Sequence, residues 1–287
     1  MGRTPTLHYD ASSNGPRAAG AVPIATPPPA PDCADMNATA SMPLRPLRPL
    51  QPLSWLEHAW HDIRLTPGVS FAHGAALAAF GWLLLALAHQ RFWVLAGALS
   101  GFLIVAPVLV TGLYATSRAL ERGEAAGWGT VWAVWRSLDR RLVLFGLLLG
   151  LAGTGWVMTS AALITLFAPG PVNTPVDFLR LVVANRSSWL FEAWLGLGAL
   201  LAAPVFASSV LAIPMLLDQR VSLLDAVLAS WRSVLDNPLP MAVWAALLMG
   251  FTLLGLGSAL LGLVAVVPML GHASWYAYRD LMPVERR

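Results

Sequence analysis

Residues 69–88 read VSFAHGAALAAFGWLLLALA, twenty consecutive residues without one formally charged side chain. An α-helix rises about 1.5 Å per residue, so a helix of this length spans about 30 Å, the thickness of the hydrocarbon core of a bilayer. The sequence therefore predicts a transmembrane helix here. The preceding Thr66-Pro67-Gly68 predicts the end of an earlier helix.

The composition indicates that most of the chain lies in lipid. Hydrophobic residues make up 57% and charged residues 11% of the sequence, and the mean hydropathy is +0.64. A soluble domain carries about 25% charged residues, so this chain cannot cover a water-facing surface. The 18 basic residues are all arginine and flank the apolar stretches, which argues against nucleic-acid binding. Cys33 is the only cysteine, so we expect no disulfide and no thiolate metal site.

Six apolar stretches predict six transmembrane helices. Their expected bounds are 69–88, 92–117, 142–168, 189–217, 240–255 and 257–278. The last two divide one apolar stretch of 38 residues, Met241–Tyr278. As a single helix it would be about 57 Å long, nearly twice the bilayer core, so we split it at Gly255–Gly257. Five spans remain the alternative.

The arginines predict the orientation of the chain. With six spans, 15 arginines lie on the side of the two termini and three, Arg91, Arg180 and Arg186, lie on the other side. Arginine-rich loops stay in the cytoplasm, so we expect both termini there. Five spans would move the C-terminal arginines outside and weaken this asymmetry.

The predicted membrane domain covers residues 54–281. Residues 1–53 contain half of the 22 prolines and no apolar periodicity, which predicts a disordered Pro-rich tail. Residues 282–287 are a basic C-terminal tail. Ser54-Trp-Leu-Glu57 and Ser222-Leu-Leu-Asp225 both have the pattern of a capping box, so we expect helices to begin at Ser54 and Ser222.

An amphipathic stretch with Trp and Arg precedes each pair of predicted spans. The three stretches are Ser54–Arg64, Gly129–Arg141 and Ser222–Asn237, and the paired spans carry Pro107, Pro204 and Pro268. Trp135-Arg-Ser-Leu138 and Trp231-Arg-Ser-Val234 are nearly the same peptide. We therefore expect an all-α polytopic bundle of three parallel hairpin repeats with pseudo-threefold packing, each preceded by an interfacial helix.

Trp and Arg residues near the span ends are predicted membrane-interface anchors. They are Trp60, Arg64, Arg118, Trp135, Arg136, Trp231, Arg232, Trp275 and Arg279. Indoles favour the headgroup boundary, and guanidinium groups bind anionic phosphates. The expected partners are the lipid bilayer, with anionic lipids at the cytoplasmic face, and other membrane proteins, and no nucleic acid.

Three motifs resemble a known family. They are Gly101–Pro107 with Gly112-Leu-Tyr114 and Ser117-Arg118, then Asn237-Pro238-x-Pro240-Met241, and the ending Gly271–Leu281. Over roughly residues 55–281, the chain resembles the bacterial integral membrane proteins known as domain of unknown function 2189. The resemblance implies a multi-pass protein of the bacterial inner membrane. It implies no activity.

Polar residues follow the span prolines by four positions. They are Thr111, Ser208 and His272, and His73 lies at a similar depth on the first span. A proline frees a backbone carbonyl one turn earlier, and a nearby hydroxyl can help to satisfy that region. We expect these four residues to form a polar layer near the cytoplasmic side. The layer either joins helices by hydrogen bonds or gates a cavity and relays protons.

The sequence lacks the motifs of common enzymes, among them the nucleophile elbow, the P-loop, the zinc-protease helix and the dinucleotide fingerprint. We expect a non-enzymatic accessory, assembly or scaffold protein with no catalytic residue, cofactor or metal. The alternative is a small-solute or ion permease or channel whose path crosses the polar layer. A lipid-modifying enzyme is a third alternative, which no charged intramembrane cluster in the sequence supports.

Overall fold

A computed structural model of the protein describes residues 1–2, 47–88, 92–137, 139–185 and 187–282. The chain divides into two compact units, Met1–Met42 and Pro43–Arg287. Nearly all of the first unit lies outside the described residues, as does most of the predicted disordered tail. Most of the basic C-terminal tail, 283–287, lies outside them too.

The described part of the second unit is helical, without a strand. The helices are α1 (Gln51–Leu65), α2 (Pro67–Ala88), α3 (Phe92–Leu109), α4 (Thr111–Glu121), α5 (Trp128–Ser137), α6 (Arg140–Phe167), α7 (Pro175–Phe178), α8 (Leu190–Ser209), α9 (Ala212–Asp218), α10 (Leu223–Asp236), α11 (Pro238–Gly257) and α12 (Leu263–Leu281). A π-helical segment, Leu179–Val183, follows α7. The expected all-α architecture is confirmed.

Four helical segments of the described chain are long and apolar enough to cross a membrane. They are Pro67–Leu87, Arg140–Phe167, Leu190–Asp218 and Pro238–Gly257. These segments correspond to the first, third, fourth and fifth predicted spans. Several transmembrane helices are thereby supported by length and hydropathy.

The second and sixth predicted spans have a different form. The second is interrupted at Val110, between α3 and α4, and its apolar helical part is the shorter Trp93–Phe102. The sixth corresponds to α12, which carries Arg279 and Asp280 in its last turn. The six-span topology and the threefold packing of repeats stay predictions.

The start of α1 differs from the prediction. The helix begins at Gln51, and its N-cap, Leu50, makes no side-chain capping bond. Ser54 is inside the helix, where its hydroxyl donates to the Gln51 carbonyl at 2.8 Å. Pro52 suits the first turn because it has no N–H to leave unpaired. The capping box at Ser54 was therefore a wrong prediction, and the predicted tail ends before residue 53.

Two other helix boundaries were predicted correctly. α1 ends at Leu65, with Thr66 as its C-cap, and α2 begins at Pro67. Ser222 caps α10: its hydroxyl accepts the Asp225 N–H at 3.1 Å. Local cap and proline signals thus set these boundaries without help from distant parts of the chain.

α12 lies in the core, where it packs against α1, α2 and α4. Its residues Trp275 and Tyr278 are buried in one cluster with Trp55 of α1 and Trp244 of α11. The rings of Trp55 and Trp244 meet edge to face with centroids 5.4 Å apart, a geometry that aromatic quadrupoles favour. Large aromatic side chains therefore fix α12 against α1 and α11.

α2 and α12 approach each other closely at Gly74. A Cβ atom at this position would lie 2.7 Å from the Cα atom of Val264 and would also contact its carbonyl group. Both contacts are backbone, so no side-chain rotation can relieve them. A side chain at position 74 would have to push α12 away from α2.

We predict that Gly74→Ala lowers the free energy of unfolding by about 2 kcal/mol, a typical cost of overpacking. Gly250→Ala on α11 is the control, since no heavy atom lies within 4 Å of a Cβ atom there. Alanine favours helix, so this control should leave stability unchanged or raised. Thermal unfolding in detergent micelles measures both variants, and equal effects would contradict the close packing of α2 on α12.

Candidate functional site

Four helices bring hydrogen-bonding side chains together inside the core. Asp62 lies on α1, Ser70 on α2, Ser117 on α4 and His272 on α12. Each of these residues is at most 1% exposed. We call the four residues the buried polar cluster.

The buried polar cluster is a continuous chain of hydrogen bonds. The Ser117 hydroxyl donates to Oδ2 of Asp62 at 2.6 Å and lies 2.7 Å from Nδ1 of His272. Nε2 of His272 lies 3.0 Å from the Ser70 hydroxyl. A hydroxyl has one proton, so Ser117 accepts the Nδ1 proton of His272 while it donates to Asp62. Ser117 thus bridges the carboxylate and the imidazole.

Tyr276 and Thr66 complete the hydrogen bonding of the cluster. The Tyr276 hydroxyl donates to the Asp62 carboxylate, 3.0 Å from Oδ1 and 2.9 Å from Oδ2. The Thr66 hydroxyl donates to the Asp62 carbonyl at 3.0 Å and lies 3.3 Å from the Ser70 hydroxyl. The side-chain polar atoms of the cluster therefore all have partners, as burial in an apolar core demands.

Burial controls the ionisation of Asp62. Loss of hydration raises the pKa of this carboxyl above its ordinary 3.8, and the hydrogen bonds from Ser117 and Tyr276 offset the rise only in part. When Asp62 takes up a proton, its hydroxyl can donate to Ser117. Ser117 can then donate to Nδ1 of His272 once the imidazole proton has moved to Nε2, which faces the Ser70 hydroxyl. The cluster can therefore hold or pass a proton, and it also joins α1, α4 and α12.

The structure places three residues of the predicted polar layer outside this cluster, and two of them, Thr111 and Ser208, bond to other parts of the fold. The Thr111 hydroxyl donates to the Val108 carbonyl at 2.9 Å. The Ser208 hydroxyl accepts the indole N–H of Trp231 at 2.9 Å. Each therefore bonds to a neighbour of its own, whereas His272 belongs to the buried polar cluster.

His73 has a third environment. It is 5% exposed, and its Nδ1 lies 2.8 Å from the Val69 carbonyl. A carbonyl only accepts, so Nδ1 carries the proton of the neutral ring. Nε2 has no hydrogen-bond partner among the described residues. The gating or relay role of the predicted layer stays a prediction.

Sequence reasoning missed Asp62, Ser70 and Ser117. Asp62 did carry a usable signal, because it follows Trp55 and Ala59 at helical spacing and so shares the buried face of α1. An acidic residue on an apolar face is expected to have a buried partner. The two serines gave no such signal, since serine is common in apolar helices without a specific role.

Several predicted interface anchors are exposed. They are Trp60, Arg64, Trp135, Arg136 and Arg232. The Arg64 guanidinium lies over the Trp60 ring, 5.1 Å from its centroid, and Arg136 lies over Trp132 at 5.6 Å. Stacked indole and guanidinium groups on an outer face suit the headgroup region of a bilayer.

Other predicted anchors lie within the fold. Trp275 is 1% exposed and belongs to the core, so its indole packs helices instead of facing lipid. Its N–H donates to Glu121 at 3.1 Å, and Arg279 pairs with the same carboxylate at 2.7 Å. Arg118 is half-buried and lies 3.9 Å from Asp218. These polar groups therefore tie helix ends to one another.

Comparison with known proteins confirms the family resemblance over part of the chain. Residues 94–218 match the family described as "Predicted integral membrane protein (DUF2189)". The matched part contains Ser117 but neither Asp62 nor His272. No curated protein and no solved structure matches the chain. The family match and the long apolar helices together show an integral membrane protein with several apolar helices.

We predict that His272→Ala lowers the free energy of unfolding by about 3 kcal/mol, because it leaves a cavity and removes the partner of two buried hydroxyls. Glu57→Ala is the control, since Glu57 is an exposed residue of α1, and it should change stability by less than about 0.5 kcal/mol. Denaturant titration in detergent measures both. Similar losses in the two variants would contradict a structural role for the cluster.

The raised pKa of Asp62 also predicts a pH dependence. The folded carboxyl holds its proton to a higher pH than the unfolded one, whose pKa is 3.8. The protonated Asp62 carboxyl makes its full contribution to the free energy of unfolding below that value. This contribution is lost as the pH rises through the folded pKa. Over this pH range, the free energy of unfolding of the wild type should therefore fall relative to that of Asp62→Asn. A difference between the two proteins that does not change with pH would contradict the raised pKa.

Proposed function

We propose that the protein is a non-enzymatic accessory or scaffold protein of the bacterial inner membrane. In this proposal six spans place both termini in the cytoplasm, and the amphipathic helices present contact surfaces to lipid and to other membrane proteins. The match to a family of integral membrane proteins supports the membrane location. The arginine distribution supports the orientation.

The observation that carries the proposal is the exposed face of α10. Leu224, Leu228 and Leu235 are 66%, 45% and 68% exposed. Their spacing of four and seven residues puts them on one face of the helix. The opposite face meets the fold with buried small residues and partly buried apolar ones. Among the small residues is Ser230, whose hydroxyl accepts the Leu211 N–H at 3.1 Å. An exposed leucine stripe of this kind is typical of a contact surface.

The long helices have a different exposed surface. On α6, Leu147 and Leu151 are 68% and 69% exposed, and on α11 Leu253 is 60% exposed. These leucines lie in segments apolar enough to cross a membrane, so lipid tails account for their exposure. α10 is shorter and carries Asp225 and Asp236, which supports a position at the membrane boundary, where partner proteins can reach it.

The buried polar cluster favours a scaffold over the alternative of a permease. A solute path needs polar groups that face a water-filled space. The polar atoms of the cluster instead bond to one another, and their residues are at most 1% exposed. Thr111 and Ser208, which a path through the predicted layer would use, are bonded to Val108 and Trp231.

Photo-crosslinking in cells tests this function. A photoreactive amino acid at position 228 of α10 should give discrete adducts with other membrane proteins, because this face is proposed to bind them. The matched control is position 253 of α11, an exposed leucine that should give lipid adducts only. Absence of protein adducts at 228, together with solute uptake by liposomes that contain the purified protein, would contradict the scaffold function and favour the permease.

A further inference from the structure

A cavity of about 640 Å³ lies between α5 and the helices beside it. Its polar side chains are those of His73, Thr111, Trp128, Trp135 and Asp139, and the rest of the lining, which includes Leu109 and Val143, is aliphatic. Leu109 and Val143 are also 43% and 49% exposed, so the cavity opens sideways to the surroundings of the protein.

The lining of this cavity suits a hydrocarbon chain better than water. Its polar side chains are occupied, since Thr111 donates to a backbone carbonyl and Asp139 pairs with Arg141 at 2.6 Å. Nε2 of His73 is a single acceptor without a partner among the described residues, and the other polar side-chain atoms are the indole N–H groups of Trp128 and Trp135. A buried water needs two to four polar partners. The rest of the lining is aliphatic and offers none, so an apolar chain is the suitable occupant.

Two arginines adjoin lining residues of the cavity in the sequence. Arg136 follows the lining residue Trp135, and Arg140 follows the lining residue Asp139. Both arginines are exposed, and neither forms an ion pair with any residue in the described ranges. Because Arg141 neutralises Asp139, the two exposed guanidinium groups leave the segment that joins α5 to α6 with a charge of about +2. This charge is complementary to a phosphate.

The exposed tryptophans of α5 indicate where this helix lies relative to the membrane. Trp128 and Trp132 are 55% and 56% exposed, as expected of indoles at the headgroup boundary. α6 starts at Arg140 as a candidate membrane span. The cavity therefore begins where headgroups meet hydrocarbon, the level at which basic pockets between helices bind anionic lipids.

We propose that this cavity binds one anionic phospholipid, with its acyl chains beneath α5 and its phosphate on Arg136 and Arg140. This site deepens the lipid contact in the proposed function. α1 provides the internal comparison, since Arg64 stacks on Trp60 in the same way. The inward face of α1, however, is filled by Trp55, Ala59 and Ile63, so it offers a charged surface without room for a chain.

Native mass spectrometry of the purified full chain tests the site. The protein in mild detergent is titrated with phosphatidylglycerol and, separately, with phosphatidylcholine of the same acyl chains. Wild type should bind one phosphatidylglycerol in preference. Arg136→Gln with Arg140→Gln should weaken that binding by about 30-fold, as expected for two arginines near an anionic lipid. Arg64→Gln with Arg180→Gln removes equal charge elsewhere and should leave binding unchanged.

A second variant tests the cavity itself. Ala76→Phe fills the space from an exposed position of α2, and it should reduce binding of phosphatidylglycerol although both arginines remain. Ala76→Leu serves the same purpose with a smaller side chain if the first variant unfolds. Equal binding of the two lipids, equal effects of the two double variants, or full binding in the filled variants would overturn the site. None of these outcomes depends on the protein adducts that test the scaffold function.

Discussion

Burial of a carboxyl and an imidazole in an apolar helix bundle constrains the whole fold. Asp62 and His272 are almost completely inaccessible, and an unpaired polar group in such a place costs several kcal/mol. Ser117 satisfies both groups at 2.6 and 2.7 Å. It can do so only if α1, α4 and α12 keep one relative position, so the requirement for pairing selects that arrangement over others with similar apolar contacts.

Much of the fold could be predicted from the sequence because apolar length and helix caps are local properties. The break after Leu65 and the cap at Ser222 follow from neighbouring residues alone. The buried polar cluster could not be predicted this way, because Asp62 and His272 are 210 positions apart and the bridging serine belongs to a third helix. The spacing of His272 from Pro268 drew attention to this histidine without showing its partner.

The amphipathic helices share a composition but differ in what lies beneath them. α1 packs Trp55 into the core, α10 exposes Leu224, Leu228 and Leu235, and α5 covers a cavity. Trp and Arg spacing predicts a position at the membrane boundary for all three helices. It cannot distinguish them, because the difference lies in the residues of other helices. The proposed contacts with proteins and with lipid therefore fall on different helices.

The most direct test of this account is a double-mutant cycle between Asp62→Asn and His272→Gln, measured as free energies of unfolding in detergent. The two residues act through one shared serine, so the account predicts a coupling free energy above about 1 kcal/mol. A cycle between His272→Gln and a substitution of exposed Glu57 on the same helix as Asp62 should show no coupling. Additive effects of Asp62→Asn and His272→Gln, within about 0.5 kcal/mol, would contradict the central role of the cluster.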